Sequence, residues 1–265
     1  MTGTGAVVVR DYSDAVVVIA GGTSGIGLAS AHAFAAAGVR RLVLLGRRTE
    51  RGVVARDEVA AACPEAEVLF LSADAADPDE VSATFRDVEK HFGAVDVVVC
   101  SVAPDVRPEL LLRQSAGEIV ATVAAFADPA LVLTHAAMTI MRRQGGGSII
   151  NVASDAGKTA TPGEAAIGAG MAAICMFSRV AAVEGKRDGI RVNTVTPSLV
   201  MGTETTAKVL ETGFSKKLFE KAAEQAHLGV CEPKDVAALV VYLAGPAAAK
   251  LTGQTISVNG GISAV

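Results

Sequence analysis

The stretch AVVVIAGGTSGIG, residues 15–27, decides the fold. Its first seven residues are apolar and largely β-branched, the composition of a strand covered on both faces. Its second half, Gly21-Gly22-Thr23-Ser24-Gly25-Ile26-Gly27, is a glycine-rich turn, and the residues beyond it read as a helix from Gly27 to Gly38. Glycines at such a turn let the backbone approach a pyrophosphate, and the free N–H groups of a helix start attract its charge. A bare glycine pattern is weak. Here strand, turn and helix follow one another directly, and that context favours nucleotide binding over a merely structural turn.

The same alternation runs to the end of the chain. Further strands are expected at RLVLLG (41–46), EVLFLSAD (67–74), VDVVVC (95–100), GSIINVAS (147–154), IRVNTVTP (190–197) and QTISVNG (254–260). Helical stretches separate them, one opening at Asp77-Pro78 with an N-cap followed by proline in the first turn. Seven near-continuous apolar strands alternating with helices imply an α/β fold, a doubly wound parallel sheet with helices on both faces. No linker or composition shift divides residues 1–265, so a single domain is expected.

Two places break the rhythm. Asp128-Pro129 falls inside a long helical stretch, 115–143, where proline should kink or restart the helix. Residues 201–230 are a polar, charge-rich helical insertion between the last two strands. An insertion at a strand's carboxyl end lies where open α/β sheets bind ligands, so this one reads as a lid or as a plain surface helical pair.

The bulk composition excludes several classes. Net charge is −4 without a basic stripe, which argues against a nucleic-acid partner. The four cysteines and four histidines are scattered, and no metal site is expected. The amino-terminal apolar runs are too short to span a bilayer, and a cytoplasmic protein without membrane attachment is expected.

The second strand ends Leu45-Gly46-Arg47-Arg48. An acid there suits the ribose hydroxyls of NAD, whereas arginine suits a 2′-phosphate, so Arg47 points to NADP. Asp74, ending the third strand, is placed either to accept a hydrogen bond from an adenine amine or to cap the next turn.

With these motifs in hand, the chain resembles a classical short-chain dehydrogenase/reductase, a Rossmann-like family. The resemblance covers essentially the whole length and rests on AGGTSGIG (20–27), SAD (72–74), GGSIINVAS (146–154), GIRVNTVTPSLV (189–200), EPKDVAALVVYLAG (232–245) and LTGQTISVNGG (251–261). It implies hydride transfer between a nicotinamide cofactor and an alcohol or carbonyl carbon, and assembly as dimers or tetramers. The implied cofactor residues are Gly21, Thr23, Ser24, Gly25, Ile26 and Gly27 in the turn. Arg47, Asp74, Ala75 and Pro197 complete them at the later strand ends.

The family's chemistry uses a serine, a tyrosine, a lysine four residues after it and an asparagine on the preceding long helix. Ser154 fills the first seat. The tyrosine seat, thirteen residues on, holds Ile167, and the lysine seat holds Met171. Counting back along the long helix puts the asparagine seat at or near Phe126. Neither Ile nor Met exchanges a proton, and Tyr12 and Tyr242 lie elsewhere in the chain. Cys100-Ser101-Val102-Ala103 and Ser198 also depart from the family pattern, which weakens the nicotinamide end or removes cofactor binding altogether.

Three functional readings stay open. The chain is a redox-inactive member, serving as the silent subunit of a hetero-oligomer with an active paralogue or as an NADP(H)-binding or regulatory protein, with a homo-oligomer as the alternative assembly. Alternatively it takes a small-molecule ligand for an isomerisation, elimination, cyclisation or addition, using Ser154, Asp155, Lys158 and Glu164. Or it is a weak NADP-dependent oxidoreductase whose acid comes from a lid residue such as Lys208, Glu211, Lys216 or His227.

Overall fold

A computed structural model describes residues 10–211 and 213–264. Residues 1–9, Thr212 and Val265, counted within the single domain and in part within the lid, lie outside the described residues. Seven strands form one parallel sheet: β1 (Val16–Ala20), β2 (Arg41–Gly46), β3 (Glu67–Ser72), β4 (Val97–Cys100), β5 (Gly147–Val152), β6 (Ile190–Pro197) and β7 (Thr255–Val258). Their order is β3-β2-β1-β4-β5-β6-β7. Strand order reverses between β1 and β4, and a crevice opens at that switch point beyond the carboxyl ends of the strands.

β1 shows why both faces of the sheet are covered. Val16, Val18 and Ala20 face one apolar core with Phe85, Leu133 and Ile149. Val17 and Ile19 face the other, with Phe34, Leu42 and Val240. The period of two splits one apolar run between two cores. The first core is closed by α3 (Pro78–Phe92), α4 (Ala116–Gln144) and α5 (Ala165–Gly185), the second by α1 (Gly25–Ala36), α2 (Thr49–Ala62) and α8 (Pro233–Ala244).

The helix ends follow from local chemistry. The Asp77 side chain accepts from the amides of Asp79 and Glu80 at the start of α3, and Gly93 closes that helix in the left-handed region at φ 79°. Ser115 and Glu118 form a reciprocal capping box at the start of α4. α1 begins at Gly25, two residues before the expected Gly27. Strand ends likewise fall up to two residues inside their expected limits, because pairing stops before the apolar composition does.

Pro129 does not break α4, which runs through it without interruption. Phe126, Ala127, Ala130 and Leu133 are buried on both sides of the proline. That packing outweighs the roughly 3 kcal/mol that an interior proline costs a helix.

At the opposite end of the sheet, Arg191 on β6 is buried and caps α8. Its guanidinium donates to the carbonyls of Leu243 (2.6 Å), Ala244 (2.9 Å) and Ala248 (3.1 Å). The Leu243 and Ala244 oxygens are ones that a helix carboxyl terminus leaves without amide partners, and the Ala248 oxygen is shared with the Leu251 amide. Both α4 and the segment 165–188 are long and apolar enough to cross a bilayer by length and composition. In this fold both are laid against the sheet.

Candidate functional site

A cavity of about 630 Å³ opens at the switch point. It is walled by the glycine turn, the ends of β2, β4, β5 and β6, the start of α5, and the insertion after β6. That insertion folds as two helices, α6 (Glu204–Leu210) and α7 (Gly213–Gln225), and Glu204, Val209, Leu218 and Phe219 line the cavity.

The glycine turn fits a phosphate on geometric grounds. Gly21 has φ 75°, and a Cβ there would sit 2.1 Å from the Ser101 carbonyl oxygen. A Cβ on Gly27 would meet the Gly21 carbonyl at the same distance. These two glycines are therefore demanded by the turn's own packing against β4 and α1. Gly25 differs, since a Cβ there would have only the Thr203 methyl at 3.6 Å and otherwise open space. Ser24 is extended at the N-cap of α1 and its side chain caps no amide. The first turn of α1 thus has backbone N–H groups without intrahelical partners on the cavity wall, an anion-binding arrangement. Thr23, Ser24, Gly25 and Ile26 all line the cavity with Gly21, while Gly27 does not.

The adenine-end candidates are present but engaged. Arg47 lies 3.8 Å from Asp74, and both are largely exposed. Asp74 Oδ1 accepts from the Ala76 amide at 3.0 Å, the turn-capping alternative of the sequence reading. Ala75 and Pro197 line the cavity with them.

The four residues expected at the family's catalytic positions lie together. Ser154, Phe126, Ile167 and Met171 line one cavity. The last three belong to the apolar core shared by α4, α5 and the sheet, at 7–8% exposure each. Gly170 explains how α5 reaches α4 so closely, because a Cβ there would lie 2.9 Å from the Phe126 Cβ and 3.0 Å from the Val123 carbonyl. The small residues of α5 are thus a packing requirement, and they bring Ile167 and Met171 level with Phe126. Ser154 Oγ accepts from the Ala156 amide at 3.2 Å.

A family model described as enoyl-(acyl carrier protein) reductase matches residues 20–263. The chain belongs to the short-chain dehydrogenase/reductase family. It is 35% identical over 251 residues to an uncharacterized oxidoreductase of Mycobacterium tuberculosis, covering 94% of this chain and 92% of that one. It is 31% identical over 248 residues to a 3-oxoacyl-[acyl-carrier-protein] reductase of Synechocystis, covering 93% of this chain and 96% of the other. Among solved structures, a short-chain dehydrogenase/reductase from Mycobacterium ulcerans superposes with a TM-score of 0.87 at 25% identity, covering 96% of this chain and 91% of that one.

Of the polar residues named for another chemistry, Ser154, Asp155 and Glu164 line the cavity and Lys158 does not. Asp155 is buried and holds the carboxyl-terminal segment: Ser257 Oγ and Ser263 Oγ each donate to it at 2.9 Å, and Asn259 Nδ2 donates as well. Lys158 Nζ lies 3.5 Å from Asp155 and donates to Ser257 Oγ at 2.6 Å. Asp155 thus lies on the cavity wall with its carboxylate engaged by the carboxyl-terminal segment. Glu164 lines the cavity as well, and burial pushes its carboxyl above the usual carboxylate range against an opposing hydrogen bond with Thr161.

The four lid residues expected to supply an acid stand off the cavity, although Glu204 and Lys221 of the same insertion line it. Lys208 pairs with Asp105 at 2.8 Å, Glu211 with Arg107 at 3.0 Å and Lys216 with Glu220 at 4.0 Å, and neither these nor His227 line the cavity. Tyr12 donates to the Val241 carbonyl at 2.7 Å on the other side of the sheet, and Tyr242 is 46% exposed on α8. Cys100, at the end of β4, is buried, and its thiol is pushed up to about 12 by desolvation, which keeps it unreactive. Among the described residues no group of histidines, cysteines and carboxylates is placed to hold a metal.

Proposed function

We propose that this member of the family binds NADP(H) and has given up the family's proton relay. The observation that carries the reading is the contact of Ile167, Met171 and Phe126 in one apolar cluster that floors the cavity. A nicotinamide, when bound, supplies a hydride donor or acceptor. The reaction also needs a group that exchanges a proton with the substrate oxygen, and neither a thioether nor a hydrocarbon does so. Ser154 alone orients an oxygen without moving a proton at the required rate.

The amides of Gly25 and Ile26 would hold the pyrophosphate, and Arg47, with Arg48 beside it, would meet a 2′-phosphate. Titration of the protein with NADPH and NADH tests the binding half, with tighter binding of NADPH expected. NADPH oxidation over a panel of ketones and aldehydes tests the other half. A rate about 10²–10⁴-fold below that of a member with the full relay is expected. Turnover at the level of such a member overturns the reading.

We further propose assembly through α4 and α5, with a second copy of the chain or with an active relative. Val120 on α4 and Met176, Val180 and Val183 on α5 are 49–69% exposed, an unusual density of uncovered apolar side chains. Substituting Val180 and Val183 together by glutamate should convert an oligomer to a monomer in light scattering. A wild-type chain that is already monomeric overturns this part. The same reading puts the protein in the cytoplasm rather than in a membrane, with α4 and α5 covered by protein.

A further inference from the structure

One row of side chains crosses the sheet on the face covered by α4 and α5. In register it reads Leu45, Ala20, Cys100, Asn151, Thr194 and Thr255, one residue from each strand from β2 across to β7. The first half is apolar and belongs to the core that those helices close. The second half is an amide and two threonines. Residues paired in a parallel ladder point to one face, so all three are turned toward the same helices.

Asn151 is wholly buried, and its Nδ2 donates to Thr134 Oγ1 on α4 (3.2 Å) and to Ser178 Oγ on α5 (2.9 Å). Its Oδ1 has no hydrogen-bond partner among the described residues, and neither have the buried Thr194 Oγ1 and Thr255 Oγ1. Reversing the amide does not help, because the two hydroxyls would then donate to Oδ1 and leave Nδ2 alone. Two residues further along the same strands, Thr196 and Ser257 do find each other at 3.4 Å, and Ser257 continues to Asp155. The unpartnered atoms are therefore particular to this row.

A buried polar atom without a partner bears the full cost of its lost hydration, and native interiors leave few such atoms. Neighbouring strands lie about 4.8 Å apart, less than two hydrogen-bond lengths of about 2.8 Å. A water oxygen set between Asn151 and Thr194 reaches both, and one between Thr194 and Thr255 does likewise. Water suits the mixture, since it donates to an amide oxygen and accepts from a hydroxyl. The row carries no charge, so a neutral ligand fits it and an ion does not. The covering side chains of α5 are small. Ser178 is one, and Ala182 is another, its Cβ 3.6 Å from where a Cβ on Gly253 would stand, just before β7.

We infer that this half of the sheet binds internal water, in a short file with a molecule between each neighbouring pair of Asn151, Thr194 and Thr255. Through Asn151 the file is continuous with Thr134 and Ser178, so it ties the last two strands to α4 and α5. None of these five residues lines the cavity, and the file is independent of the loss of the proton relay.

The test is a crystal structure of the full chain, with urea unfolding of Thr194→Val and Thr255→Val, which keep the side-chain shape and delete one hydroxyl each. Ordered water density is expected within hydrogen-bond distance of all three atoms. Each variant should raise the unfolding equilibrium constant roughly fivefold, because a bound water loses a partner. In a dry row the sign reverses, since valine would relieve an unpaired hydroxyl and stabilise the chain. Should a variant fail to fold, the density decides. A row without water, its hydroxyls turned to main-chain carbonyls, overturns the assignment, and so do two variants that are each more stable than the wild type.

Discussion

Glu204 Oε1 lies 2.7 Å from Arg51 Nη1, and the same carboxylate lies 3.8 Å from Arg48 Nη2. The pair ties the first residue of α6 to the start of α2. Arg51 Nε also donates to the Thr23 carbonyl at 3.2 Å, so the glycine turn is part of the same link. Glu204 thus holds Arg48, one of the two arginines of the proposed 2′-phosphate site, together with Arg51 beside it.

Removing the carboxylate should free those arginines. Glu204→Gln is expected to raise NADPH affinity about twofold to fivefold, the scale of a partly exposed ion pair, and to leave NADH affinity unchanged. Fluorescence titration measures both. Equal changes for the two cofactors would show that Glu204 competes with no 2′-phosphate.

Restoring the missing pair should not restore the reaction. Ile167→Tyr with Met171→Lys puts two polar groups into a wall that includes Phe126 and is packed for hydrocarbon. Gly157 crowds the same place, since a Cβ there would lie 3.0 Å from the Met171 Cβ. The double variant should lose about 1–3 kcal/mol of stability in urea unfolding, and NADPH oxidation should stay at background. Adding Phe126→Asn should be needed before turnover appears. Full turnover in the double variant alone would mean that Phe126 does not occupy the asparagine's seat.

Asp155 predicts a different kind of failure. Its carboxylate joins the end of β5 to residues about a hundred positions later in the chain, through Ser257, Asn259 and Ser263. Asp155→Ala removes the carboxylate that Ser257, Asn259 and Ser263 share and the negative charge 3.5 Å from Lys158 Nζ. Breaking a buried pair in this way costs about 3–5 kcal/mol. Hydrogen exchange should quicken across 259–264 before it does in β5. Uniform loss of protection over the whole sheet would refute a local clasp.

The sheet was legible because its strands are near-continuous apolar runs bounded by glycine, proline and acids. That residues 126, 154, 167 and 171 would share one cavity was legible because a strand end and two helices hold a fixed spacing. The surroundings of the polar residues were not. Asp155, Lys158 and Glu164 lie within ten residues, and sequence alone treats them as one loop set. Only the return of β7 shows that Asp155 and Lys158 are engaged in a clasp, whereas Glu164, on the same cavity as Asp155, takes no part in it. Pro129 misled for a related reason, because its local penalty is visible in the chain and the packing that outweighs it is not.

The last prediction concerns pH. Burial raises the carboxyl of Glu164, and it raises Asp96 as well, against the hydrogen bond from the Val16 amide and the charge of Arg10 at 2.9 Å. A raised carboxyl holds a proton in the folded chain that the unfolded chain has already released. Its stabilising contribution is complete below the unfolded value, roughly pH 4, and is lost as pH rises through the folded value. Exposed pairs such as Lys208–Asp105 act with the opposite sign, so the comparison must be a difference between variant and wild type. Thermal melts of Glu164→Gln should therefore gain on the wild type as pH climbs from the acid side toward neutrality. Asp96→Asn should show the same trend. Because the two groups stand at opposite ends of the strands, the double variant should show the sum of the two gains. A difference that stays constant with pH, or grows toward acid, would mean that both carboxyls ionise as solvated groups do and that Glu164 does not enter the cavity as an acid.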